Sequence, residues 1–204
     1  MQVDIRSERN LGLIGSILAL VSGVFGVIPY IGMLGRFFSL VAFILVLIAL
    51  KGIGDKVGDD RPFRYYLYGF IVSIAALILI VVIVLMGFAL TSSRGHLTYD
   101  IMHMGAAAGF AVAGFVGVIV LIFVGTIVLA AYFQKQAWEA MYEITGVSEF
   151  HETARWLWWG ALTLIVLVGV ILLFIAAIYQ IIAFSNLPEV LETGEETGGE
   201  VILY

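Results

Sequence analysis

The chain has 204 residues, 62% of them hydrophobic and 12% charged, with a formal net charge of −5 and no cysteine. A soluble domain carries about 25% charged residues, so this composition excludes a water-dispersed globule, and the missing thiols exclude disulfides and thiolate metal sites. No basic face suited to nucleic acid is present, and the mean hydropathy of +1.11 points to lipid as the solvent.

The charges cluster and leave long charge-free runs at Leu11–Gly35, Phe37–Leu50, Tyr65–Ser93, Met104–Gln134 and Trp156–Pro188. A helix needs roughly 20 apolar residues to cross the hydrocarbon. Lipid offers no partners to backbone groups, so a span is a helix or part of a closed barrel. Runs without two-residue alternation are helices. The expected fold is all-α: one transmembrane domain of about five helices over residues 1–186, followed by an acidic, solvated tail over 187–204.

Residues 1–10 are polar. The following apolar run, LGLIGSILALVSGVFGVI, is longer than a signal-peptide core and lacks a small-residue cleavage site, so it reads as a retained first span. Its Gly12, Ser16, Ala19, Gly23 and Gly26 fall on one narrow face, the pattern that lets another backbone approach closely in lipid. Pro29 and Gly32 punctuate a tight turn, which makes the second helix (about 31–50) antiparallel to the first. Arg36 sits one turn inside it and reads as an interfacial anchor whose long side chain reaches the headgroups; a hairpin that only partly penetrates is the other reading.

Residues 51–64, KGIGDKVGDDRPFR, form the organising connection. Asp59 or Asp60 is suited to cap the third helix, with Pro62 in its first turn. That helix runs to about Leu90. After a connection at 91–104 comes a fourth, over about 105–133, with Gly105, Gly109, Ala113 and Gly117 at four-residue spacing, a ridge for close helix crossings. Within 134–155, QKQAWEAMYEIT reads as helical, with Gly146 as a stop and Ser148 as the next cap. A fifth helix is expected over about 149–185. The end of the chain, from Pro188, carries five glutamates and no basic residue.

Five spans would place the N-terminus, 51–64 and 134–155 on one side. These stretches hold eight of the ten basic residues, leaving Arg36 and Arg94 opposite. The basic excess marks the cytoplasmic face of the cell membrane. On this reading the N-terminus is cytoplasmic and the acidic tail extracytoplasmic. Trp138, Trp156, Trp158 and Trp159, with Tyr65, Tyr66, Tyr68, Tyr132 and Phe133, would form an aromatic belt at that interface.

The stretch LVAFILVLIALKGIGDKVGDDRPFRYYLYGFIVSI, and KQAWEAMYEITGVSEF leading to a last helix ending in FSNLP, resemble a family of small archaeal multi-pass membrane proteins, the domain of unknown function numbered nine-nine-six. Lys51, Gly52, Asp55, Gly58 and Asp59 match its first motif; Thr145, Gly146, Val147 and Phe150 match its second. Residues 91–104 and the glutamate tail depart from it. The resemblance implies a five-helix membrane protein and brings no activity with it.

Chemistry-bearing residues are few. His96, Asp100 and His103 stand at i, i+4 and i+7, so on a helix two imidazoles and a carboxylate share a face and could hold zinc. Met102 and Met104 would add soft ligands for copper(I); the competing reading is a polar helix start with unrelated histidines. Gln180 is expected either to line an outer mouth with 94–103 or to hydrogen-bond a neighbouring helix. Glu152–Arg155 and Lys135–Glu139 have ion-pair spacing. KGIGDKVGDD matches neither a P-loop nor an EF-hand, and no catalytic triad or zinc-protease motif is present. Helices 1, 3, 4 and 5 carry no ionisable residue in their central turns, which argues against a coupled transporter. The expectation is a non-enzymatic membrane protein without cofactor, a structural subunit or self-associating scaffold whose partners are the bilayer, further copies or other membrane subunits. A passive channel is the alternative.

Overall fold

The charge-free runs do fold as helices, and most of the helices continue beyond them into polar sequence. The computed structural model describes residues 2–26, 32–92, 106–166 and 168–192. In chain order these form β1 (Gln2–Asp4), α1 (Arg6–Gly26), α2 (Gly32–Val57), α3 (Arg61–Ser92), α4 (Ala106–Thr145), α5 (Ser148–Leu162), a 3-10 turn (Leu164–Val166), α6 (Val168–Asn186) and β2 (Val190–Glu192). Among the described residues, five helices have the length and apolarity to cross a membrane: α1, α2, most of α3, the Ala113–Thr145 part of α4, and α6. The chain forms two compact units, Met1–Leu67 with Gln134–Tyr204, and Tyr68–Phe133.

In the first unit α1 and α2 make an antiparallel hairpin, as expected. Glycines set its closeness: a Cβ at Gly15 would stand 2.9 Å from Val46 Cγ2, and one at Gly35 would stand 3.0 Å from both Ser22 O and Gly26 N. Of the expected small face on α1, Gly12 and Ser16 meet α6 and Gly26 lies against Gly35 of α2; other small residues of α1 also take part. Gly15 and Ser22 serve α2, Gly12 packs against the Phe184 ring on α6, and Ala19 and Gly23 are exposed. The organising connection is shorter than its polarity suggested, because α2 runs through Val57. The N–H groups of Gly58 and Asp59 both donate to the Gly54 carbonyl, at 2.8 and 3.0 Å, with Gly58 at φ 82°. That left-handed step is open to glycine at little cost. Asp59 Oδ1 then accepts the Arg61 N–H at 3.0 Å, and Pro62 sits in the first turn of α3.

The expected single helix over 149–185 is two. Between α5 and α6 the chain reverses: Glu149 Oε1 accepts from Asn186 Nδ2 at 2.6 Å, the Phe150 and Phe184 rings meet edge to face at 5.3 Å, and Gly160 lies against Leu173. Glycine again permits it, since a Cβ at Gly169 would collide with Gly160 O and with the backbone of Leu164. The expected separate helix at 134–145 is the last three turns of α4, stopped at Gly146 with φ 69°. Val147, not Ser148, occupies the cap position of α5, without a side-chain bond.

This reversal brings the two ends of the described chain together. β1 and β2 pair antiparallel, Gln2 with Glu192 and Asp4 with Val190, and Ile5 N donates to Glu189 O at 2.9 Å. The expectation that the N-terminus and the start of the acidic segment lie on opposite sides is thereby corrected: an odd number of spans cannot end in one sheet. Residues 187–192, expected to open the tail, place Leu187 and Leu191 in the core; 193–204 lie outside the described residues.

That core collects Ile5, Val46, Leu50, Ile53, Tyr66, Met141, Phe150, Phe184, Leu187 and Leu191 around Trp138. Trp138 stacks on Phe150 at 5.8 Å and meets Phe184 and Tyr66 edge to face. It is a core residue, 1% exposed, and not part of an interfacial belt. The polar ends of α2 and α4 stay helical because each hides an apolar stripe in this shared core.

The second unit is an antiparallel pairing of α3 with α4. Tyr68 meets Phe133 at 5.9 Å, and Gly87 lies against the Phe115 ring. Its described residues include no charged side chain. Of the expected ridge on α4, Gly105 lies outside the described residues, while Ala113 and Gly117 are exposed. A Cβ at Gly114, Gly117 or Gly125 would meet nothing within 4 Å.

Candidate functional site

Two polar arrangements stand out in the first unit. The deeper one joins α1 to α6: Gln180 Nε2 donates to Ser16 Oγ at 2.9 Å, and Ser16 Oγ donates to the Gly12 carbonyl at 2.7 Å. Ser16 is buried. The bond leaves neither group with the cost of an unpaired buried polar atom. Gln180 thus takes the helix-bonding role, and it lies two turns from Asn186 at the end shared with β1 and β2. The other reading of Gln180, an outer mouth shared with 94–103, falls on residues outside those described.

The second is a layer of ion pairs over the aromatic core. Arg6 Nε lies 2.7 Å from Glu189 Oε2, and Arg9 Nη1 lies 3.4 Å from Glu189 Oε1. Arg9 Nη2 also donates to the Ser185 carbonyl at 3.1 Å, placing a cation at the negative end of α6. Lys56 Nζ donates to Asp4 O and stands 2.7 Å from Glu8 Oε2. No aligned hydrogen bond reaches that buried oxygen, so charge alone holds the pair. Arg61 joins Asp59 and Glu143, both within 2.8 Å.

These contacts set local titration. The Arg61 guanidinium, hydrogen-bonded to Asp59, holds its carboxyl below the ordinary 3.8 against the opposing effect of burial. Glu149 is also lowered, first by the hydrogen bond from its own backbone N–H and then by Asn186 and Ser148. The predicted pairs form: Lys135–Glu139 and Glu152–Arg155 are both at 3.3 Å. In KGIGDKVGDD each acid has a basic partner, Asp55 with Lys51, Asp59 with Arg61 and Asp60 with Arg64. The layer therefore reads as a set of clasps between chain ends and helix ends.

His96, Asp100 and His103, with Met102 and Met104, lie outside the described residues. Among the described residues no group of three or more potential ligands converges on one point. His151 packs its ring against Tyr142 at 5.5 Å. Sequence reasoning missed the Gln180–Ser16 bond as a specific pair. Its signal was available: two polar residues, each isolated in an apolar run.

The chain is 28% identical over 193 residues to the uncharacterised protein MJ1644 of Methanocaldococcus jannaschii, covering 95% of this chain and 98% of that one. No solved structure matches it. The family model described as protein of unknown function DUF996 matches residues 38–178, which include the organising connection, all of α3, α4 and α5, and the α5–α6 reversal. The chain is a multi-pass membrane protein and belongs to the DUF996 family.

Proposed function

We propose that this protein is a non-enzymatic structural subunit or scaffold of a membrane assembly, with its ion-pair layer and both strands facing the cytoplasm. Orientation rests on the basic residues: eight of ten belong to the stretches that form this layer, and basic excess marks the cytoplasmic side. The scaffold reading rests on one observation. The α3–α4 pair leaves Gly114, Gly117 and Gly125 with open space above them, and in lipid small residues are where a second helix approaches most closely. The partner surface is then a helix of a second copy or of another subunit.

Crosslinking and native mass analysis in membrane nanodiscs test this. A Cβ at Gly117 meets nothing within 4 Å, so Gly117→Leu should leave the monomer fold intact and dissociate the assembly. A protein that is strictly monomeric in native membranes sinks the proposal. Flux of ions or small solutes through reconstituted liposomes, blocked by the same substitution, would favour the passive channel instead.

A further inference from the structure

The strand pairing of Gln2–Asp4 with Val190–Glu192 carries a parity argument. A chain whose ends meet in one sheet crosses a bilayer an even number of times, yet five helices have the length to cross. Either the α5 arm crosses as a sixth segment, or α5 and α6 enter and leave through one face. Depth decides between them.

Lys135 Nζ stands 5.8 Å over the Trp158 ring, and Arg155 lies 5.8 Å over Trp156. Ammonium and guanidinium groups stay at the headgroups or above, and tryptophan prefers that level. Trp158 therefore marks the membrane surface on this hairpin. With Gly160 against Leu173, Trp158 lies level with about Ile175. From Ile175 to Val168 the helix descends roughly 11 Å at 1.5 Å per residue. The hydrocarbon is about 30 Å thick, so the turn stops near its middle.

The turn is built for that place. Leu164, Val166 and Val168 are apolar, and the last two are 69% and 50% exposed. Four of its described donors are met internally: Thr163 N and Oγ1 both reach Trp159 O, and Val166 N and Gly169 N both donate to Thr163 O. Backbone that leaves the α-helix inside hydrocarbon needs such local partners. The upper part of α6 does not face lipid on its inner side, because Ala183 and Phe184 are in the core and Gln180 bonds Ser16.

We propose that α5 and α6 form a re-entrant hairpin whose turn around Leu164–Val166 is an acyl-chain-binding surface within one leaflet. The even number of crossings is then made without α5 and α6. Because the chain has no cysteine, single cysteines report this directly in sealed vesicles of either orientation. Ser148→Cys marks the polar end and Ser92→Cys the opposite end of α3. Both Val166→Cys and Val168→Cys should react with an impermeant maleimide on the order of tenfold more slowly than either marker from both sides, since a thiol in apolar surroundings resists ionisation. Nitroxides at the same positions should collide with oxygen more often than with a water-soluble nickel complex. Labelling of Val166→Cys from the Ser92 side would establish a sixth crossing and overturn the proposal. Ready labelling from the Ser148 side would overturn it as well, placing the turn in water. Val190→Cys reacting from the Ser92 side would restore one continuous helix and do the same. Two exposed turn positions are used so that loss of one variant leaves the other decisive.

Discussion

The first unit and the second solve the same problem, apolar helices in lipid, by different means. The first holds its helices with glycine contacts, one buried amide–hydroxyl bond, an aromatic core and a layer of ion pairs. The second has an antiparallel pair of apolar helices, no described charge and open glycines. The difference shows where side-chain identity is constrained. Around Trp138 nearly every residue has a fixed neighbour, whereas a Cβ at Gly114, Gly117 or Gly125 of α4 would meet nothing within 4 Å.

Substitutions should follow that division. Trp138→Ala removes the ring on which Phe150 stacks and should cost about 3–5 kcal/mol, read as a lowered unfolding midpoint in nanodiscs. Phe123→Ala, on a side chain 55% exposed in the second unit, should change it far less. Equal losses would erase the distinction. Next in size is Gly169→Ala, whose Cβ meets backbone on two sides; overpacking of this kind costs about 1–3 kcal/mol. Gly125→Ala, with nothing within 4 Å, should be neutral or slightly stabilising in the same assay, since alanine is the better helix former. The smallest effect is electrostatic. Asp59 has a lowered folded-state value, so its contribution is present above its ordinary 3.8 and fades as pH falls through the lower folded value. Asp59→Asn should be less stable than the parent at neutral pH, and the gap should close under acid titration. Because the pair is partly exposed, the gap is small.

Much of this architecture was legible in the chain. The apolar runs gave the membrane class and the α1–α2 hairpin, Asp59 and Pro62 gave the start of α3, and Gly146 gave the stop of α4. Hydropathy could not show that 149–185 folds back on itself, because no proline, charge or polar cluster marks the turn at Thr163–Val168. The only sign was the pair Gly160 and Gly169, whose significance depends on which backbones touch. Trp138 was placed at an interface because it lies in the polar stretch 134–155 with the other tryptophans; in the fold it is buried in the core while Lys135 and Glu139 pair with each other. The role of Ile5 and Leu191 depends on contacts between opposite ends of the sequence, which no local pattern reveals. The expected metal ligands His96, Asp100 and His103 lie beyond what the structure describes.

The pairing of β1 with β2 also imposes an order on synthesis. β1 precedes every described helix and β2 follows them all, so β1 leaves the ribosome long before its partner. Until then Ile5 has no Glu189 carbonyl to receive its N–H, and Arg6 and Arg9 lack their acidic partner. Loop closure across nearly the whole polypeptide must come after insertion. The latch therefore closes last, on a chain whose described helices have already been made.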